Sequence, residues 1–318
     1  MITRLKAMFP DNWAKAWLQM AMLRACCIGF GVAGLVALAP VVSGVLGAAQ
    51  SQTLAQNVGV VGTAWQAAHA SRVRLIGGGL FDADVSKIPT RAAAIELTLD
   101  PQWKTYWRMP GDSGVPPQFD FSKSSNLASA EVFYPAPQRF TDKSGDAIGY
   151  KSRVVFPIRV VPHDASKPVT LTVDLAFGVC KDICVPLETQ FALELPPSNV
   201  ATAPIIQAAR EQVPRSVNAL RPGDPQIQAI VGSIVGGARQ IEISVKMSQD
   251  AAASVDLFVE GPEGLFVPMA RKLAARGESA LFVVDFSKLA DAKDLLGKAL
   301  RFTAVTSSGA SDLTWTAR

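Results

Sequence analysis

Nine consecutive residues, Val169-Thr170-Leu171-Thr172-Val173-Asp174-Leu175-Ala176-Phe177, put an apolar side chain at every second position. Side chains alternate across a strand, so this period describes a β-strand with one face buried and the other in water. Similar short runs occur at Arg72–Ile76, Ala92–Leu99, Val154–Val161 and Phe191–Leu195. Turn-rich stretches such as Pro110–Pro117 and Thr141–Asp146 separate them. Short strands with Gly, Pro and Asp punctuation predict an antiparallel β-sandwich over residues 71–198. A second β series follows at Gln226–Val235, Gln240–Val245, Ser254–Glu260, Ser279–Asp285, Arg301–Thr306 and Leu313–Thr316. The chain is therefore expected to be all-β, with a second, smaller β-rich domain at 222–318. Residues 199–221 are expected to be a linker with a short helix over Ala203–Gln212, stopped by Pro214, and Ser287–Leu296 to form one or two helical turns. The second half has neither Cys nor His, so it is expected to pack, position or recruit.

The N-terminus carries a different signal. Arg4, Lys6, Lys15 and Arg24 precede an uncharged run from Ala25 to Ala49 that ends in small residues. A basic start, an apolar middle and a small-residue end make a secretory signal over 1–49, cut near Ala49. The alternative is an uncleaved anchor, since 25 apolar residues are long enough to span a bilayer. Residues 50–70, small and polar without β signal, read as a leader or one weak helix. Of the formal charge of +4, the first 49 residues supply +3 (four cations less Asp11). No basic cluster interleaved with aromatics remains, which excludes nucleic-acid binding.

Removal of the signal takes Cys26 and Cys27 with it and leaves Cys180 and Cys184, in the run Gly178-Val179-Cys180-Lys181-Asp182-Ile183-Cys184-Val185-Pro186. In an exported chain two neighbouring thiols are expected to be oxidised. As a staple the bond is weak: closing five residues is worth roughly 2 kcal/mol, against about 3 for fifteen. As a redox couple it needs accessible sulfurs, and Gly178, read as the end of the preceding strand, puts the pair at a sheet edge or tip. Lys181 favours a thiolate and Asp182 disfavours it. A closed zinc site wants four ligands, and only His69 and His163 are available beside the thiols; Cu(I) needs fewer. No residues at catalytic spacing support hydrolysis, and no bound cofactor is expected. Staple, redox couple and metal site all remain open at this point.

Four segments in order carry a family resemblance: Trp103–Gly114, Pro116–Asp120, Tyr134–Phe140 and Gly178–Pro186. Over about 70–198 the chain resembles the N-terminal periplasmic domain of DsbD-like thiol:disulfide interchange proteins, in particular the ScsB-like branch, suppressors of copper sensitivity. The resemblance implies an immunoglobulin-like sandwich with a redox-active Cys180–Cys184 disulfide, Cys184 forming mixed disulfides and the more buried Cys180 resolving them. It implies an aromatic cap at Phe140, with Tyr106 and Trp107 beside the disulfide. Where better-known members carry acidic residues before the cap, this chain has Gln138 and Arg139. The implied partners are a thioredoxin-like domain or DsbD-type membrane electron carrier and oxidised periplasmic client proteins. Longer members continue into membrane and thioredoxin-like domains; the sequence stops at Arg318, so action in trans is expected. The competing expectation is a non-catalytic exported binding or copper-handling module with a structural disulfide.

Overall fold

The computed structural model describes residues 61–82, 89–111, 114–142, 145–197 and 201–318. The expected signal at 1–49 and the leader as far as residue 60 lie outside the described residues. In chain order the first twelve strands are β1 (Val61–Gly62), β2 (Gln66–Ala67), β3 (Ser71–Leu80), β4 (Arg91–Leu99), β5 (Lys104–Gly111), β6 (Gln118–Asp120), β7 (Leu127–Val132), β8 (Gln138–Asp142), β9 (Gly145–Lys151), β10 (Arg153–Pro162), β11 (Val169–Cys180) and β12 (Cys184–Leu195). One sheet runs β1-β3-β4-β10-β7 with β2 also on β3; the other runs β12-β11-β5-β9-β8 with β6 also on β11. The alternating run is β11, and its buried residues Leu171, Val173, Leu175 and Phe177 meet Val73, Leu75, Ile95, Phe156 and Ile158 of the other sheet in one core.

Two expectations are corrected here. The leader is neither helical nor without β structure where it is described: β1 and β2 both pair with β3. Backbone pairing to an existing edge needs no apolar pattern in the added strand, which is why composition missed it. Gly178 does not break its strand either, since β11 continues to Cys180 and pairs residue for residue with β12, from Val169 opposite Leu195 to Cys180 opposite Cys184. The glycine is there for a close approach instead: a Cβ at 178 would lie 2.8 Å from Val115 Cβ.

Past the first sandwich, α1 (Pro204–Glu211) opens on proline and carries Arg210 in its last turn, both favourable positions. It is no loose linker. Ile206 and Ala209 are buried among Ile76, Ala92 and Val155 of the first sheet and Phe81 just past β3, and Arg210 donates to the carbonyl of Phe81. The remaining strands are β13 (Arg215–Ser216), β14 (Gln226–Ser233), β15 (Gln240–Lys246), β16 (Asp256–Glu260), β17 (Arg271–Arg276), β18 (Ser279–Asp285), β19 (Ala299–Val305) and β20 (Ala310–Thr316). They form two four-stranded sheets, β13-β20-β19-β16 and β14-β15-β18-β17. Ile241, Ile243, Phe282 and Val284 from one and Leu257, Val259, Leu300 and Phe302 from the other share one core. The protein is all-β, an immunoglobulin-like sandwich followed by a second β-rich domain. Among the described residues no helix is long and apolar enough to cross a membrane.

The two sandwiches meet along β16. Phe258 belongs to the first core and packs on Trp107, ring centroids 5.8 Å apart. On either side of it stands an arginine from the first sandwich. Arg108 grips Glu260 with two bonds of 2.5 and 2.8 Å. Arg139 grips Asp256 with bonds of 2.9 and 3.0 Å and also reaches Asp146 at 2.9 Å.

Candidate functional site: the disulfide at the β11–β12 tip

β11 changes neighbours along its length. It pairs with β6 at Asp174–Ala176 and then with β5 at Val179–Cys180. The buried hydroxyl of Thr105 on β5 donates to the Gly178 carbonyl at 2.8 Å and helps hold this end of β11. Cys180 is the last residue of β11 and Cys184 the first of β12, with Lys181, Asp182 and Ile183 as the exposed turn. A disulfide joins the two across a Cα–Cα distance of 4.2 Å. Their surroundings differ: Cys180 is 5% exposed, whereas Cys184 is exposed and Ile183 beside it is 67% exposed.

Tyr106 is brought to the pair. Its hydroxyl lies 3.1 Å from Cys184 Sγ, and as a disulfide sulfur carries no proton the hydroxyl is the donor. The ring is buried with Cys180 and Ala147. It lies under the 114–115 segment, where Gly114 has φ +151° and a Cβ would come 2.4 Å from the ring. Register explains the grouping. Residues opposite one another in a ladder share a face, so Cys184, Cys180, Lys104 and Lys151 line up across β12, β11, β5 and β9. Tyr106, two residues beyond Lys104, is on that same face.

The other predicted aromatics are placed differently. Phe140 on β8 stands opposite Ala147, and Lys151 Nζ sits 4.5 Å over its ring. Phe140 is thus on the disulfide face but reaches the cluster through Ala147 and is not a member of it. Trp107 is on the opposite face of β5, fully buried in the sandwich core against Phe258. The pleat that turns Tyr106 toward the sulfurs turns its neighbour away. Sequence reading missed Lys104, buried at 9% exposure and directly opposite Cys180, and the Gly114–Val115 cover. The place of Lys104 two residues before Tyr106 becomes a signal only once the run is known to be the strand β5.

Electrostatics near the seam are set by burial. Desolvation pushes the Tyr134 hydroxyl up to about 12 and that of Tyr150 well above its usual value. Burial works against the charge on Arg108, but the hydrogen bonds and charge of Glu260 outweigh it and raise its pKa. Among the described residues no group of three or more His, Cys, Asp or Glu side chains is gathered to hold a metal ion. At the tip the disulfide joins an exposed cysteine to a buried one.

Comparison with curated proteins finds no match. Among solved structures the fold is similar to the crystal structure of the N-terminal periplasmic domain of ScsB from Proteus mirabilis, at 22% identity and a TM-score of 0.58, covering 80% of this chain and 98% of that one. Residues 78–196, which hold both cysteines, Tyr106 and Phe140, match the family of the N-terminal part of the thiol:disulfide interchange protein DsbD. That segment is a DsbD N-terminal domain, and it supplies this chain with a thiol–disulfide exchange module.

Proposed function

We propose that the protein relays reducing equivalents in the periplasm, taking them from a thioredoxin-like domain or a DsbD-type membrane carrier and passing them to oxidised client proteins. The observation that carries this reading is the unequal exposure of the two bonded cysteines at a hairpin tip. A donor thiolate attacks Cys184 Sγ in line with the S–S bond. The bond breaks, a donor–Cys184 disulfide forms, and the electron pair leaves on Cys180. The donor's second thiolate then attacks its own sulfur in that mixed disulfide and releases Cys184. The donor ends as a disulfide and the hairpin as a dithiol, two electrons richer. Cys184 next attacks a client disulfide, and Cys180 resolves that mixed disulfide by re-forming the bond to Cys184. The periplasmic setting rests on the N-terminal signal features and on the likeness to a periplasmic domain.

The test is a pair of single-cysteine variants. Cys184→Ser is expected to abolish transfer. Cys180→Ser is expected to accumulate client adducts that run as larger, reductant-sensitive bands. A structural staple predicts neither, and predicts a reduction potential below about −300 mV.

A further inference from the structure

When the disulfide opens at Cys184, the negative charge appears on the buried sulfur. A thiolate with Cys180's 5% exposure has little water to solvate it. Burial without a counter-charge penalises the ionised form and makes Cys180 a poor leaving group. The reaction therefore needs a cation on this face of the sheet, inside the structure.

Charged groups approach Cys180 from each element around it. The turn offers Lys181 and Asp182, adjacent in sequence, opposite in sign and both exposed. From β9 comes Lys151, whose ammonium is seated over the Phe140 ring. From β5 comes Lys104, buried and directly opposite Cys180 in the ladder. Opposed residues have Cβ atoms about 5 Å apart on one face, within the span of a lysine stem. The β12 neighbour is Cys184 itself, with the neutral Tyr106 hydroxyl on its sulfur. Lys104 combines burial, sign and register.

We infer that Lys104 is the counter-ion of the exchange reaction, its ammonium holding the thiolate that Cys180 becomes when a donor sulfur takes Cys184. This rests on the relay reading for its purpose. The bond that breaks is Cys180–Cys184, the bond that forms joins the donor sulfur to Cys184, and no proton needs to move because the thiolate is kept as an ion pair.

The experiment titrates Cys180 as the single thiol of the Cys184→Ser protein, by thiolate absorbance, with Lys104 intact, Lys104→Met and Lys104→Arg. Lys104→Met is expected to raise the midpoint by about one pH unit, a tenfold loss of thiolate near neutrality, and Lys104→Arg to restore it. In the intact pair, Lys104→Met should slow opening by dithiothreitol several-fold. Equal midpoints in the folded protein with Lys104 intact and in the folded Lys104→Met variant would overturn the inference. If the methionine variant does not fold, the Lys104 side-chain resonances of the Cys184→Ser protein decide: they should shift with the thiol's own midpoint, and their indifference to it overturns the inference. Failure of the relay reading looks different. There the wild-type disulfide resists dithiothreitol in the folded state, whatever Cys180 does in the single-thiol protein.

Discussion

At the scale of single residues, the proposed relay rests on the difference between two cysteines four positions apart. Cys184 opens the second strand of a hairpin and meets solvent, whereas Cys180 ends the first and lies under Tyr106 and Ala147. The hydroxyl of Tyr106 donates to the sulfur of the exposed Cys184 at 3.1 Å. A hydrogen bond contributes about 1 kcal/mol net. Its loss in Tyr106→Phe is expected to raise the Cys184 thiol pKa by up to about one unit. Alkylation rates against pH in the Cys180→Ser protein give that midpoint, and an unmoved one would mean the hydroxyl does not stay with the reduced sulfur. Trp107, predicted beside the pair, instead fills the core, because adjacent strand residues point to opposite faces.

At the scale of elements, legibility follows burial. β11 shows its period because one face is solvated, and its partner β12 alternates the same way. β5 does not: Lys104, Thr105, Tyr106 and Trp107 are all buried, one face under the Gly114–Val115 segment and the other in the core. With no polar face the alternation vanishes, so the strand that organises the site was invisible as a strand. The cover depends on Gly178, whose missing side chain admits Val115 and the Tyr106 ring. Gly178→Ala is expected to destabilise the protein by about 1–3 kcal/mol through overpacking, read as a lower urea midpoint. The same change should speed dithiothreitol attack at Cys184 by lifting the cover. A variant as stable as the parent would show that the segment yields freely.

At the scale of the whole molecule, β16 joins the second sandwich to the strand that carries Tyr106. Arg108 is only two residues from that tyrosine, and its partner Glu260 comes from 152 positions away. Both side chains are largely shielded, at 22% and 14% exposure. Removing one partner leaves a poorly solvated charge, so Glu260→Ala is expected to cost about 3 kcal/mol, while Arg108→Leu with Glu260→Leu recovers most of it. Chemical denaturation of the single and double variants measures this, and a single-variant loss below about 0.5 kcal/mol would show that the seam does not depend on the pair.

By itself the amino-acid sequence determined the β architecture, the turn between the cysteines and the family of residues 78–196. Those are set by local period, by short spacing and by motifs contiguous in the chain. Tertiary structure alone decided that Lys104 stands opposite Cys180, that Phe140 stays outside the cluster, and that Arg108 and Arg139 close on β16. Each of these is a relation between segments distant in the chain. Burial and charge are properties of the packed neighbourhood, and no window along the sequence contains it.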